Sequence, residues 1–289
     1  MTVRIIPRLD IKGPNLVKGI HMEGLRVLGK PEQVAKYYYQ HGADELIYMD
    51  IVASLLGRNN LLHIVERTSR EIFIPLTVGG GLRSIDDIKA VLLAGADKVS
   101  INTAAIRRPK FIMEAAKKFG SSTIVVSIEA IKREDGCYEA YIDNGREETG
   151  FDVFGWAERV EKLGAGEILL TSINREGTGK GFDVDLVKKV SESVSIPVIA
   201  GGGAGKINHI SQVISQGKAD AISIASILHY NYLRGYTLNE KDFKEEGNID
   251  FLKKNNGFLK INDESLPSIK KHIISKGINC RPFKGRGEK

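Results

Sequence analysis

Two carboxylates stand where an α/β enzyme would carry out acid–base chemistry. Asp10 ends the strand-like segment Arg4–Leu9, and Glu129 ends the strand-like segment Thr123–Ile128. Barrels of parallel strands carry their active sites at the strands' C-terminal ends. One carboxyl group can donate a proton while the other accepts it. Either acid alone could equally cap a loop or pair with a lysine.

Two glycine triplets form the second feature. One follows the apolar run 74–78 and the other follows the run 196–200. Consecutive glycines expose backbone N–H groups that no Cβ shields, which favours anion binding, although tight turns use glycine too. Each triplet is expected beside the polar end of the next strand. The residues predicted to bind one phosphate at each end of a substrate are Gly80, Gly81, Asn102 and Thr103 on one side, and Gly177, Gly202, Gly203, Ala225 and Ser226 on the other.

The chain repeats itself at a long period. Pro75 and Pro197, which lead into the two triplet motifs, lie 122 positions apart, and so do Gly42 and Gly164, which open two further similar segments. A repeat of about 120 residues indicates a duplicated half-domain, because solenoid units are far shorter. Asp10 and Glu129 then occupy equivalent strand ends, and that equivalence favours the catalytic interpretation of both.

Strand-like and helix-like segments alternate along the chain, with one helix predicted at Ser84–Ala94, where Ser84 and Asp87 resemble a capping box. Eight such units predict an α/β fold, a (β/α)8 TIM barrel of two duplicated half-barrels in one domain over residues 1–289. The predicted strands lie near 4–10, 46–51, 75–79, 97–102, 123–129, 167–172, 197–201 and 220–224.

Two segments interrupt this rhythm. Asp135-Gly136 and Asn144-Gly145 are hairpin-turn signals, and they predict a β-hairpin excursion near 134–148. Residues 231–263 are polar and predict an exposed insertion before the last helix. The sequence assigns no role to that insertion.

Composition narrows the classes of function. The 289 residues are 42% hydrophobic and 27% charged, with a net charge of +6. Because the basic residues are mixed with acids, phosphorylated small molecules are favoured over nucleic acid as ligands. Only two cysteines are present, which favours the cytoplasm, and no apolar run predicts a signal peptide or a membrane span. Neither metal-ligand spacing nor a dinucleotide fingerprint occurs, so no metal or cofactor is expected.

Long motifs resemble a known family, the cyclase subunit of imidazole glycerol phosphate synthase in histidine biosynthesis. The likeness covers residues 3 to about 230 and resumes in the last helix. The segments that carry it are Arg4–Lys12, Leu16–Gly19, Asp44–Leu46, Val78–Gly81, Ala96–Ala105, Gly164–Ser172 and Gly202–Gly205.

The resemblance implies a duplicated barrel that takes ammonia from a separate glutamine amidotransferase subunit in a heterodimer. The family uses it to convert a bis-phosphorylated aminoimidazole-carboxamide ribonucleotide into imidazole glycerol phosphate and a purine precursor. Asp10 matches the family's strand 1 aspartate, and Lys18 matches its substrate-contacting mobile loop. The positions that match the family's ammonia gate, a ring of charges at the barrel's N-terminal end, are Arg4, Glu45, Lys98 and Glu167. An ordinary ion-pair network is the other interpretation of that ring.

The chain departs from the family in three places. The family's strand 5 acid is Asp, whereas Glu129 stands here, and its Asp-Arg-Asp-Gly turn reads Asn174–Gly177. One methylene moves a carboxylate by about 1 Å, and misplacement on that scale can cost about a hundredfold in rate. Together with the 231–263 segment, these changes resemble paralogues associated with amidination of surface sugars, in which the barrel hands ammonia to a sugar amidotransferase.

A third hypothesis is the related isomerase that acts on the preceding intermediate. It shares the half-barrel repeat but uses no ammonia, and it would have no need of a charged ring. Cys137 and Cys280 form no convincing pair with histidine for glutamine hydrolysis. Under the cyclase and ammonia-conduit hypotheses, ammonia is therefore expected from a partner or from solution.

Overall fold

The structure of the protein is a computed structural model, which describes residues 2–21, 23–53, 61–235 and 261–283. Strand and helix alternate in these ranges as the apolar patterning predicts. The strands are β1 (Arg4–Lys12), β2 (Asn15–Ile20), β3 (Glu23–Gly29), β4 (Leu46–Asp50), β5 (Leu76–Gly79), β6 (Lys98–Ile101), β7 (Ile124–Lys132), β8 (Tyr138–Ile142), β9 (Glu147–Asp152), β10 (Glu167–Ser172), β11 (Val198–Gly201) and β12 (Ala221–Ile224).

Eight of these strands close into a parallel barrel in the order β1, β4, β5, β6, β7, β10, β11, β12. The ring closes where β12 pairs with β1, with Arg4 opposite Ala221. The two halves of the repeat meet at this pairing and where β6 pairs with β7, with Val99 opposite Ile124. The predicted (β/α)8 barrel is therefore confirmed, and each of its eight strands overlaps a run identified in the sequence.

Helices cover the outside of the barrel. Helix α3 (Ile85–Leu93) begins after Ser84 with the predicted capping box, in which the Ser84 side chain accepts from the Asp87 N–H and the Asp87 carboxylate accepts from the Ser84 N–H. The helices are α1 (Pro31–Gln40), α2 (Leu62–Ser69), α3 (Ile85–Leu93), α4 (Thr103–Arg107), α5 (Lys110–Phe119), α6 (Val153–Lys162), α7 (Val184–Ser193), α8 (Ile207–Ser215), α9 (Ser226–Arg234) and α10 (Leu266–Ser275), with a 3₁₀ turn at Ser121–Thr123. None of the helices in the described ranges has the length and hydrophobicity that crossing a membrane requires.

The period of two along each strand decides which side chains face the barrel interior. On β1, Ile5 and Leu9 pack outward in the large core beneath the helices. Ile6 packs in a second apolar cluster inside the barrel, together with Leu169 and Ile199. Arg8 and Asp10, spaced by two and four residues from Ile6, therefore point into the interior as well.

Two hairpins leave the barrel at its C-terminal mouth. Strands β8 and β9 follow β7 over the segment that carries the Asn-Gly signal, and they pair antiparallel. Strands β2 and β3 follow β1, and no hairpin is predicted there. Of the predicted insertion at 231–263, residues 231–234 continue helix α9, and residues 236–260 lie outside the described residues.

Candidate active site

Asp10 is a buried carboxylate held between two cations. Its Oδ1 accepts a hydrogen bond from Arg8 Nε at 2.8 Å, and its Oδ2 accepts one from Lys18 Nζ at 3.0 Å. Burial by itself raises the pKa of the carboxyl group, but the attraction of Arg8 and then of Lys18 outweighs it and lowers the pKa of Asp10 to about 2. Asp10 is therefore ionised at neutral pH.

Glu129 is equally buried but lacks such close cationic contacts among the described residues. Its Oε2 accepts a hydrogen bond from the backbone N–H of Gly145, at 2.9 Å, in the turn between β8 and β9. Burial raises the pKa of Glu129 to about 7, and Arg8 offsets this only in part. The pKa values of the two acids are thus shifted in opposite directions, which is the arrangement that separates a proton acceptor from a proton donor.

A cavity of about 260 Å³ opens next to Glu129. It brings together the four residues predicted for the first phosphate site with Asp50, Ser127 and Asn144. Gly80 has a φ of +100°, and a Cβ there would lie 2.2 Å from the Asp50 carbonyl oxygen, so only glycine fits. Ser100 Oγ is buried in the wall without a hydrogen-bond partner in the described ranges, which leaves a polar atom for a ligand.

A second, smaller cavity of about 20 Å³ brings together the five residues predicted for the other phosphate site. Gly202 has a φ of +88°, and a Cβ there would lie 2.7 Å from the Ser172 carbonyl oxygen. This is the same close approach to the preceding strand end that Gly80 makes to Asp50. The sequence repeat is therefore also a repeat of two glycine pockets.

Lys18 lies in strand β2, whereas the family motif places it in a mobile loop. It is buried, and its ammonium group contacts both Asp10 and Glu176. The β2–β3 hairpin contacts the loop after β10, where the His21 N–H donates to the Glu176 carbonyl oxygen at 3.0 Å. Lys18 therefore joins the strand 1 acid to the second glycine pocket, which Glu176 lines.

The four residues that match the family's gate form a closed ring at the N-terminal end of the barrel. Arg4 contacts Glu45 at 2.7 Å and Glu167 at 2.8 Å. Lys98 contacts the same two carboxylates at 3.2 and 2.9 Å. Each acid is thus paired with both cations, and the ring lies on the far side of the inner apolar cluster from Asp10.

Sequence reasoning missed two charged members of the site. Arg8 was not selected, although its spacing of two residues from Asp10 places both side chains on one face of a strand. Glu176 was noted only as part of a turn. In the described ranges, no three His, Cys, Asp or Glu side chains are arranged to hold a metal ion.

The fold defines the chain as a (β/α)8 barrel, and its cavities and buried acids lie at the C-terminal mouth, where barrel enzymes carry their active sites. The family model described as histidine biosynthesis protein matches residues 4–234. The chain belongs to this family, which confirms the resemblance that the motifs indicate.

Two curated relatives carry the same name, imidazole glycerol phosphate synthase subunit HisF. The protein from Legionella pneumophila is 61% identical over 209 residues, which cover 72% of this chain and 99% of the relative. The protein from Methanocaldococcus jannaschii is 50% identical over 259 residues, which cover 83% of this chain and 94% of the relative.

Proposed function

We propose that this chain is the cyclase subunit of imidazole glycerol phosphate synthase. It uses ammonia to convert a bis-phosphorylated aminoimidazole-carboxamide ribonucleotide into imidazole glycerol phosphate and a purine precursor. The observation that carries this proposal is the pair of equivalent glycine pockets at a mouth that also holds two buried acids, with the pKa of Asp10 lowered and the pKa of Glu129 raised. The names of the two relatives support it.

The two acids take different roles in this reaction. Ammonia that adds to a carbonyl carbon must lose a proton, and the oxygen that leaves as water must gain one. Asp10 is ionised at neutral pH and accepts the first proton, whereas Glu129, with a pKa of about 7, donates the second. The bis-phosphorylated substrate spans the mouth, with one phosphate in each glycine pocket.

Ammonia enters from the opposite end, through the ring formed by Arg4, Glu45, Lys98 and Glu167. A glutaminase subunit bound at that end supplies it as the partner of a heterodimer. Two large apolar side chains support a partner there, because Phe73 is 81% exposed and Leu93 is 78% exposed. Both precede barrel strands, at the N-terminal end of the barrel.

Hydrolysis of glutamine is assigned to that partner rather than to this chain. Cys137 is exposed and Cys280 is buried, and both are free thiols. Cys137 lies in the turn between β7 and β8, outside the mouth cavity. The cytoplasm is the compartment we expect for such a chain.

The names of the relatives favour neither the ammonia conduit for a sugar amidotransferase nor the isomerase. The departures at Glu129 and Glu176 leave acids in place rather than removing them. Both side chains are buried in the site, where Glu176 contacts Lys18. At Asn174 an amide replaces the family's acid, and its side chain hydrogen-bonds the backbone of Lys132, outside the lining of both glycine pockets.

The purified chain should consume the bis-phosphorylated intermediate in the presence of ammonium salt, followed by loss of the intermediate's absorbance. Asp10→Asn should lower turnover by at least about a hundredfold while ligand binding stays nearly unchanged. Asp86→Asn, an exposed aspartate at the start of α3, is the matched control and should keep full activity. Wild-type protein that binds the intermediate without converting it would contradict the proposal and favour the conduit. Unimpaired turnover by Asp10→Asn would remove Asp10 from the mechanism.

A further inference from the structure

Arg8 is a buried cation at the centre of the mouth. It is 4% exposed, and its guanidinium group reaches from β1 to β10, where Nη1 donates to Thr171 Oγ1 at 3.3 Å. Nε donates to Asp10. Burial alone would lower the pKa of Arg8, but attraction to Asp10 and then to Glu176 raises it, so the group is charged.

Arg8 also lines the second glycine pocket, together with Gly202, Gly203 and Ser226. Nε and Nη1 are used by Asp10 and Thr171, whereas Nη2 donates to no residue in the ranges that the structure describes. A planar guanidinium group with a free edge is the side chain best suited to hydrogen-bond a phosphate. Arg8 therefore has a donor to spare next to an anion pocket.

The pocket needs that positive charge because it also contains an acid. Glu176 lines it, and a Cβ on Gly202 would lie 3.3 Å from the Glu176 Oε2. A carboxylate at that distance would repel a phosphate held by the glycine N–H groups. Lys18 contacts Glu176, but it is shared with Asp10. One shared ammonium group cannot offset two carboxylates and a phosphate.

We propose that Arg8 is a specificity-determining residue of the second glycine pocket, whose guanidinium group makes this pocket accept a phosphate monoester despite the neighbouring Glu176. This inference rests on the proposed function for the identity of the ligand, which is one phosphorylated end of the bis-phosphorylated substrate. The first glycine pocket does not contain Arg8. The two ends of the substrate are thus recognised differently although the pockets are related by the repeat.

The test is a titration with glycerol phosphate, followed by NMR on protein labelled with ¹⁵N-glycine. The amide signals of Gly202 and Gly203 report the second pocket, and those of Gly80 and Gly81 report the first pocket in the same sample. Arg8→Met should weaken binding at the second pocket by about tenfold or more, since a charge-assisted hydrogen bond is lost. Binding at the first pocket should stay within about twofold, because sites without shared partners behave independently.

Arg8→Lys is the conservative variant, and it keeps the charge but loses the planar fork. Its affinity at the second pocket should fall between those of the wild type and Arg8→Met. If Arg8→Met does not fold, the titration of Arg8→Lys tests the inference. Phosphate binding should then be weakened only as reported by the Gly202 and Gly203 signals. Equal weakening at both pockets, or unchanged binding at the second, would overturn the inference. The titration requires no turnover, so a wild-type protein that fails to convert the intermediate would refute the proposed function and still leave this result readable.

Discussion

Glu129→Gln should change how the stability of the protein depends on pH. Burial raises the pKa of Glu129 from 4.5 to about 7, so between these values the folded protein holds a proton that the unfolded chain has released. The folded state is therefore favoured at the acid end of this window, and its stability falls as pH rises through it. At about 1.36 kcal/mol for each pH unit, the loss amounts to about 3 kcal/mol. Gln cannot ionise, so the variant lacks this loss.

Other buried groups titrate differently in the same range. The pKa of Asp10 is lowered to about 2, so its contribution is complete above 3.8 and does not change at neutral pH. Burial lowers the pKa of His229 from 6.5 to about 3, so His229 adds stability as pH rises between those values. That contribution is common to wild type and variant, and it cancels when the two are subtracted.

The measurement is urea unfolding of both proteins at several pH values from about 4.5 to 8.5, with the free energies of unfolding subtracted at each pH. The difference should move in favour of Glu129→Gln by about 3 kcal/mol across the window, and level off above about pH 8. Glu114→Gln, at an exposed glutamate paired with Arg108, is the control and should give a flat difference. A flat difference for Glu129→Gln as well would mean that Glu129 loses its proton well below pH 7, and its role as proton donor would have no basis.

Two further variants address the ring and the glycine pocket. Lys98→Met should lower the free energy of unfolding by about 1–3 kcal/mol, because Glu45 and Glu167 are then left to share Arg4. The same variant should reduce turnover with glutamine as the nitrogen source more than turnover with ammonium salt. Equal loss with both nitrogen sources would argue against a gate. Gly80→Ala should lower the free energy of unfolding and weaken phosphate binding at the first pocket, as measured by urea unfolding and phosphate titration. Gly136→Ala is the control, because Gly136 has a similar φ of +85° but no atom lies within 4 Å of the added Cβ. This control should lose only the backbone strain energy of about 1 kcal/mol. Equal costs would mean that the contact with Asp50 is not what requires glycine.

The barrel was predictable because its pattern is local and repeated. Each barrel strand is a short apolar run, each is followed by a helix-like segment, and the offset of 122 between Pro75 and Pro197 marks the duplication. The equivalence of Gly80 and Gly202 follows from that offset. In the structure both glycines make the same close approach, each to the carbonyl oxygen of the residue that ends the preceding strand, Asp50 or Ser172.

The β2–β3 hairpin was not predicted, and the reason lies in its sequence. Strand β2 carries Lys18 in the middle of a mixed polar and apolar segment, and an isolated lysine there is typical of a loop. Lys18 is buried only because Asp10 and Glu176, which come from distant segments, neutralise it. A contact between residues 158 positions apart leaves no local signal.

The amino-acid sequence by itself determined the barrel, its two halves, and the positions of Asp10 and Glu129 at equivalent strand ends. These properties depend on hydrophobic periodicity and on spacing, which can be read along the chain. Only the tertiary structure decided that the pKa values of the two equivalent acids are shifted in opposite directions. A pKa depends on burial and on which charges lie nearby in space. Arg8 lies beside Asp10 on β1 and pairing of β2 with β1 adds Lys18, whereas the carboxylate of Glu129 accepts from a backbone N–H.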